Sequence, residues 1–127
     1  MPSALNLTRY KKCLVELHNH AFQTNLTTQH EFTPEELFPL RPEHVYAHFA
    51  NKAYGTPTPS EEDHPTECRS ASIEFAKKAI SSFMPNRLIA WNAQSETGNP
   101  TRSPIVNDLI KRIKKEEVSL KFVLTYL

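Results

Sequence analysis

The chain has 127 residues, 39% of them apolar and only two of them glycine, which fits one helical domain and disfavours a turn-rich all-β fold. No apolar run approaches the roughly 18 to 20 residues of a membrane span, so a soluble protein is predicted. Residues 1–68 carry five Lys/Arg against nine Asp/Glu, whereas residues 69–127 carry ten against five, a concentration of positive charge typical of a phosphate-binding surface.

The first predicted element is a helix over residues 5–21, because apolar side chains recur there at three- and four-residue intervals. The stripe consists of Leu7, Tyr10, Leu14, Leu17 and Ala21. The residues before it lack the basic flank and apolar core of a signal peptide, which predicts a nuclear or cytoplasmic location. Cys13 and Cys68 follow no pattern, and they are therefore expected to be reduced thiols.

Two helix starts follow the polar loop predicted at residues 22–32. Thr33-Pro34-Glu35-Glu36 has the form of a capping box with proline at the first helical position, and Pro39 limits this helix to about one turn. A second start at Arg41-Pro42-Glu43 predicts a helix that runs to Tyr54 and stops at Gly55. Residues 56–65, TPTPSEEDHP, are expected to form a proline-rich acidic loop within the domain, not a domain boundary.

The next helix is predicted over residues 70–83, with Ser70 as its N-cap. Its apolar stripe consists of Ile73, Ala76, Ile80 and Phe83. Lys77 and Lys78 fall outside this stripe and should face water. Trp91, the only tryptophan, is expected to anchor residues 86–92 against the last helix, which its size and the neighbouring Leu88 and Ile89 favour, with base stacking as the alternative interpretation.

The last helix has the sharpest predicted start. Residues 98–100, Gly-Asn-Pro, form a turn, Ser103 is positioned as N-cap, and Pro104 suits the first helical position. The helix is expected to end near residue 118 and to be followed by an apolar tail, residues 119–127. Four basic residues occupy its last turns: Lys111, Arg112, Lys114 and Lys115. They also complement the negative end of the helix dipole, an effect of about 0.3 to 1 kcal/mol each that requires no ligand.

Catalytic and metal-binding patterns are missing from the sequence. His44 and His48 are four residues apart on one predicted helix, and His18 and His20 lie on another, but no CxxC or HExxH pattern accompanies them. No glycine-rich phosphate loop and no nucleophile with a positioned base is recognisable. We therefore predict no metal, no cofactor and no enzymatic activity for this chain.

The runs KKAISSFMPNRLIAW and GNPTRSPIVNDLIKRIKKEEV resemble the N-terminal core-binding domain of the tyrosine recombinases of Crypton-type transposable elements. The resemblance extends over roughly residues 6–118. It implies an all-α, SAM-like bundle of four to five helices that forms half of a clamp around duplex DNA. Catalysis in such proteins requires a separate downstream domain with Arg/His/Lys activators and a tyrosine nucleophile, and Tyr126 lacks recognisable partners for that role.

The leading hypothesis is therefore a non-catalytic DNA-binding module, residues 1–118, that neutralises duplex phosphates. The candidate contacts are Lys77, Lys78, Arg87, Arg102, Ser103, Lys111, Lys114 and Lys115. Ser103 is included because hydroxyl and backbone N–H groups at a helix start bind phosphate oxygens. Duplex DNA is the expected partner, with a catalytic recombinase domain or a second copy as further candidates. No membrane or small-molecule ligand is expected.

Two other functional hypotheses are also compatible with the sequence. The rival hypothesis is a protein-interaction module, in which the charges of helices 70–83 and 104–118 maintain solubility and the tail docks on a partner helix or a second copy. The chain is also compatible with a non-functional remnant of a mobile element that merely folds.

Overall fold

The computed structural model describes the backbone of residues 4–126 and the side-chain surroundings of residues 7–118. Five helices make up the fold: α1 (Ala4–Phe22), α2 (Pro34–Leu37), α3 (Pro42–Tyr54), α4 (Ser70–Ser81) and α5 (Pro104–Tyr126). Across residues 4–126 there is no strand, only two isolated bridges in the connection between α4 and α5. The prediction of a small all-α bundle of four to five helices is thus confirmed.

The core lies between the four long helices. α1 packs against α3 and α4, and α5 packs against the same two helices from the other side. The largest buried apolar side chains are Leu14, Leu17, Leu40, Val45, Phe49, Ile73, Ile80, Val106 and Ile113. Leu14, Leu17, Ile73 and Ile80 belong to the stripes that the sequence predicts. Burying each large aliphatic or aromatic side chain contributes about 1.5 to 3 kcal/mol.

The ends of α3 and α4 are determined by different interactions. α3 stops at Gly55, whose φ of 77° is left-handed, as the sequence predicts. The prediction that Ser70 caps α4 is wrong, because Arg69 occupies the N-cap position and Ser70 is the first helical residue. The Ser70 N–H and hydroxyl both donate to the carboxylate of Glu117, at 2.6 Å each, and these bonds lower the pKa of Glu117. A side chain of α5 therefore caps α4.

α5 is longer than expected, since it continues through residues 119–126 instead of ending near residue 118. The backbone of the predicted apolar tail is thus helical over residues 119–126. The predicted docking of this tail on a partner depends on side chains that lie outside the described residues. Over residues 4–126, no helix combines the length and the apolar character that a bilayer crossing requires.

The acidic connector between α3 and α4 is anchored to α5 by one arginine. Arg112 donates from Nη2 to the carbonyl oxygens of Ser60, at 2.6 Å, and Asp63, at 3.1 Å. Its guanidinium also lies 4.7 Å from the centre of the Tyr54 ring, and its Nε lies 3.7 Å from a carboxylate oxygen of Glu116. Residues 56–65 consequently form a loop that is held against α5.

Histidine and aromatic rings interleave where α1 meets α3. The rings of His20 and His48 are 5.3 Å apart, and that of His44 lies 5.0 Å from Phe22. His48 is 6% exposed and its Nδ1 has no hydrogen-bond partner among the described residues. Burial, with Lys52 and His20 nearby, lowers the pKa of His48 to about 3. Within the described side chains, no three His, Cys, Asp or Glu are positioned to share a metal ion.

We expect this histidine cluster to make the fold sensitive to mild acid. The pKa of His48 is depressed to about 3 in the folded chain, and burial also lowers those of His18 and His44, against about 6.5 in an unfolded chain. The unfolded chain therefore takes up protons first, so stability is complete above about pH 6.5 and falls below it. At pH 5.5 the loss attributable to His48 is about 1.4 kcal/mol.

Urea unfolding at pH 7.5 and pH 5.5 measures this effect, in a range where carboxylates remain ionised in both states. His48→Leu should have a smaller difference between the two pH values than the wild type, by about 1 kcal/mol. An unchanged difference in the variant would show that His48 is not buried in its neutral form.

Candidate nucleic-acid interface

Four cationic side chains from three parts of the chain surround one open cavity of about 450 Å³. Lys77 and Lys78 come from α4, Arg87 from the connection after it, and Arg102 from the residues just before α5. The cavity is otherwise lined by Glu74, Ser81 and Leu88. We call it the cation cavity. Four of the eight residues predicted from the sequence to bind DNA thus lie together.

The apolar stripe of α4 faces the core, so the lysines on its other face are directed towards this cavity. Lys78 is exposed, whereas Lys77 is partly buried and donates to the Oδ1 of Asn107 at 2.6 Å. Burial lowers the pKa of Lys77, and the positive charge of Arg102 lowers it further. Glu74 on the cavity wall opposes part of this effect. An anion bound between Lys77 and Arg102 would relieve their mutual repulsion.

The two arginines are positioned by a buried asparagine, Asn99, which is 0% exposed. Its Nδ2 donates to the hydroxyl of Ser81, at 2.7 Å, and to the carbonyl of Arg87, at 3.0 Å. Its Oδ1 accepts from the N–H and the hydroxyl of Thr101, at 3.0 and 2.8 Å. The Arg102 guanidinium donates to the same Arg87 carbonyl at 3.3 Å. One side chain therefore ties the end of α4 to both arginine-bearing segments.

Backbone contacts complete this loop without forming a sheet. The N–H of Asn99 donates to the carbonyl of Ile89 at 2.8 Å, and that of Trp91 donates to the carbonyl of Arg102 at 3.0 Å. Gly98 has a φ of 106°, and a Cβ at this position would lie 2.5 Å from the carbonyl oxygen of Ala90. Only glycine allows the two limbs of the loop to approach this closely.

The other predicted lysines lie on the neighbouring face of α5. Lys111 and Lys114 follow Asn107, the partner of Lys77, by four and seven residues, and so they share its face. Lys115 is exposed beside Lys111 and lies about 12 Å along the helix axis from Asn107. The positive surface therefore continues from the cation cavity along α5.

Few of these cations are neutralised. Among the described residues, Lys114 alone of the seven predicted phosphate-binding lysines and arginines forms an ion pair, and its partner is Glu74 on the cavity wall. Acidic groups of the first half pair within that half, as in Lys11–Glu31 and Lys52–Glu16. The acidic half thus does not cancel the basic surface.

Ser103 does not belong to this surface. It is 1% exposed, and its hydroxyl oxygen has no hydrogen-bond partner among the described residues. It lies three and seven residues before Val106 and Ile110, which are both buried, so it faces the core. The predictions of a side-chain cap and of an accessible phosphate ligand at Ser103 are therefore corrected, although its carbonyl does accept the Asn107 N–H at 3.1 Å.

Trp91 also departs from expectation, because it is only partly buried and lies outside the core cluster. It lines a second cavity, of about 160 Å³, and the Arg41 guanidinium lies 5.9 Å from its ring. Its apolar neighbours Leu88 and Ile89 are 78% and 58% exposed. The sequence contains no apolar periodicity in this segment, so propensity arguments do not reveal that these side chains point outwards.

Alanine substitutions at the two glycines test the close backbone approach in this loop. Gly98→Ala combines a positive φ with a Cβ at 2.5 Å from a backbone oxygen, and we expect it to destabilise the fold by about 3 kcal/mol. Gly55→Ala is the matched control, since its φ is also positive but its Cβ would meet only Glu67 at 3.7 Å; it should cost about 1 kcal/mol. Urea unfolding measures both, and equal losses would contradict the close approach at Ala90.

Comparisons of the chain with family models, with curated proteins and with solved structures found no match.

Proposed function

We propose that this protein is a non-catalytic module that binds duplex DNA through the cation cavity and the adjoining face of α5. The observation that carries the proposal is the convergence of Lys77, Lys78, Arg87 and Arg102 on one cavity. These residues are separated by up to 25 positions in sequence, so their convergence is a property of the fold. The resemblance to recombinase core-binding domains supports the same function and adds a nuclear location as part of the proposal.

The four cations suit an oxyanion, and the further lysines along α5 favour the successive phosphates of a polyanion over a single carboxylate side chain. Arginine presents a planar fork that binds two oxygens of a phosphate, and lysine adds a mobile point charge. The single acid on the wall, Glu74, is paired with Lys114, which limits its repulsion of an incoming anion. Lys111 and Lys115 then offer further contacts along α5 to a polyanion that extends beyond the cavity.

Contacts of this type position a protein on DNA but do not read its sequence. In the proposed arrangement, catalysis is supplied by a separate recombinase domain, and this chain contributes one half of the clamp. If about four phosphates are neutralised, the logarithm of the binding constant should fall with the logarithm of salt concentration at a slope of roughly −3.6. Affinity for arbitrary duplexes should be about 10⁻⁴ to 10⁻⁶ M at physiological salt.

The test is binding to fluorescent duplexes over a range of salt concentrations. Lys78→Ala/Arg87→Ala removes two exposed cavity cations and should reduce the slope to roughly −1.8, because two fewer counterions are released. The matched control is Lys12→Ala/Arg69→Ala, which removes two exposed cations that do not line the cavity and should leave the slope unchanged. Absence of binding at low salt, or equal losses in the two variants, would refute the proposal.

A further inference from the structure

Two large aliphatic side chains lie beside the cation cavity and point into solvent. Leu88 lines the cavity and is 78% exposed, and its neighbour Ile89 is 58% exposed. We call these two residues the apolar ridge. Leu88 is the most exposed of the large hydrophobic residues described. This apolar pair beside the cavity cations is a candidate contact surface.

The ridge is held outwards by the same asparagine that positions the arginines. The carbonyl of Arg87, just before the ridge, accepts from the Asn99 side chain at 3.0 Å, and the carbonyl of Ile89 accepts from the Asn99 N–H at 2.8 Å. A turn closes the segment, since the Ile89 N–H donates to the Asn86 carbonyl at 3.0 Å. The backbone on both sides of Leu88 is therefore fixed, and the side chain is presented ready for contact.

We propose that the apolar ridge is a wedge that enters a groove of the bound duplex and partly unstacks one base step. Apolar wedges of leucine or isoleucine act in this way in proteins that kink DNA, while flanking cations hold the adjacent phosphates. The inference rests on the proposed function, because Arg87 and Lys78 must first bring a phosphate to the cavity rim. It assigns to the ridge a role that the cations lack, namely deformation of the duplex.

The arrangement of charge favours DNA over an anionic membrane as the occupant. The cations converge on a cavity and then continue along one face of α5 for about 12 Å, which suits a linear polyanion whose phosphates follow one another. A membrane-bound ridge would instead require a broader set of apolar side chains to anchor the protein. Vesicle binding is therefore the competing outcome in the experiment.

The experiment uses the full chain and short duplexes that carry 2-aminopurine, a base whose fluorescence rises when it is unstacked, at successive positions. We expect the wild type to raise this fluorescence at one or two positions. Leu88→Ser/Ile89→Ser should abolish most of the rise and weaken binding about tenfold, with the salt slope unchanged because no cation is lost. Both positions are exposed, so the variant should fold normally, and its thermal unfolding verifies this.

The control is Leu7→Ser, which removes an exposed leucine on α1 that does not line the cavity and should leave both fluorescence and affinity unchanged. Salt-dependent binding without any fluorescence rise, or a rise that survives in the ridge variant, overturns the wedge and leaves the DNA-binding proposal standing. Absence of duplex binding overturns both proposals. Ridge-dependent binding to phosphatidylserine vesicles, together with no duplex binding, would show the ridge to be a membrane contact.

Discussion

The buried side chain of Asn99 is the interaction on which the candidate site depends. Its amide donates to Ser81 and Arg87 and accepts twice from Thr101, so its buried polar atoms are satisfied. Loss of this side chain would leave several partners unpaired, at a cost of about 1 to 3 kcal/mol for each buried group. Because the connection between α4 and α5 has no helix of its own, this network takes the place of secondary structure in setting the positions of Arg87, Leu88 and Arg102.

A second organising feature is the separation of paired from unpaired charge. Cations of the first half, such as Lys11 and Lys52, contact carboxylates of that half, while Arg112 is occupied by loop carbonyls and a tyrosine ring. Among the described residues, none of the four lysines and arginines that line the cavity forms an ion pair with a carboxylate, although Lys77 donates to the Asn107 amide oxygen and Arg102 to a backbone carbonyl. The tertiary structure therefore gathers part of the excess positive charge of the second half around one open cavity.

Two regions of the bundle differ in chemistry. The junction of α1 and α3 buries neutral histidines, and its response to acid is a property of stability. The cation cavity instead lies at the junction of α4 with the start of α5. Its charged side chains are solvated, so their interactions with ligands are screened by salt. An acid titration and a salt titration therefore address separate parts of the molecule.

Local sequence determined the helices and the exposure of several cations. The spacing of Ile73, Ala76 and Ile80 is sufficient to place Lys77 and Lys78 outside the apolar stripe of α4, although only Lys78 is fully exposed. Gly55 marks the end of α3, because a left-handed φ is a property of the residue itself. Tertiary structure alone decided that Glu117 caps α4, that Ser103 turns inwards and that Leu88 turns outwards. These features arise from hydrogen bonds and packing between residues distant in the chain, which no pattern of nearby residues encodes.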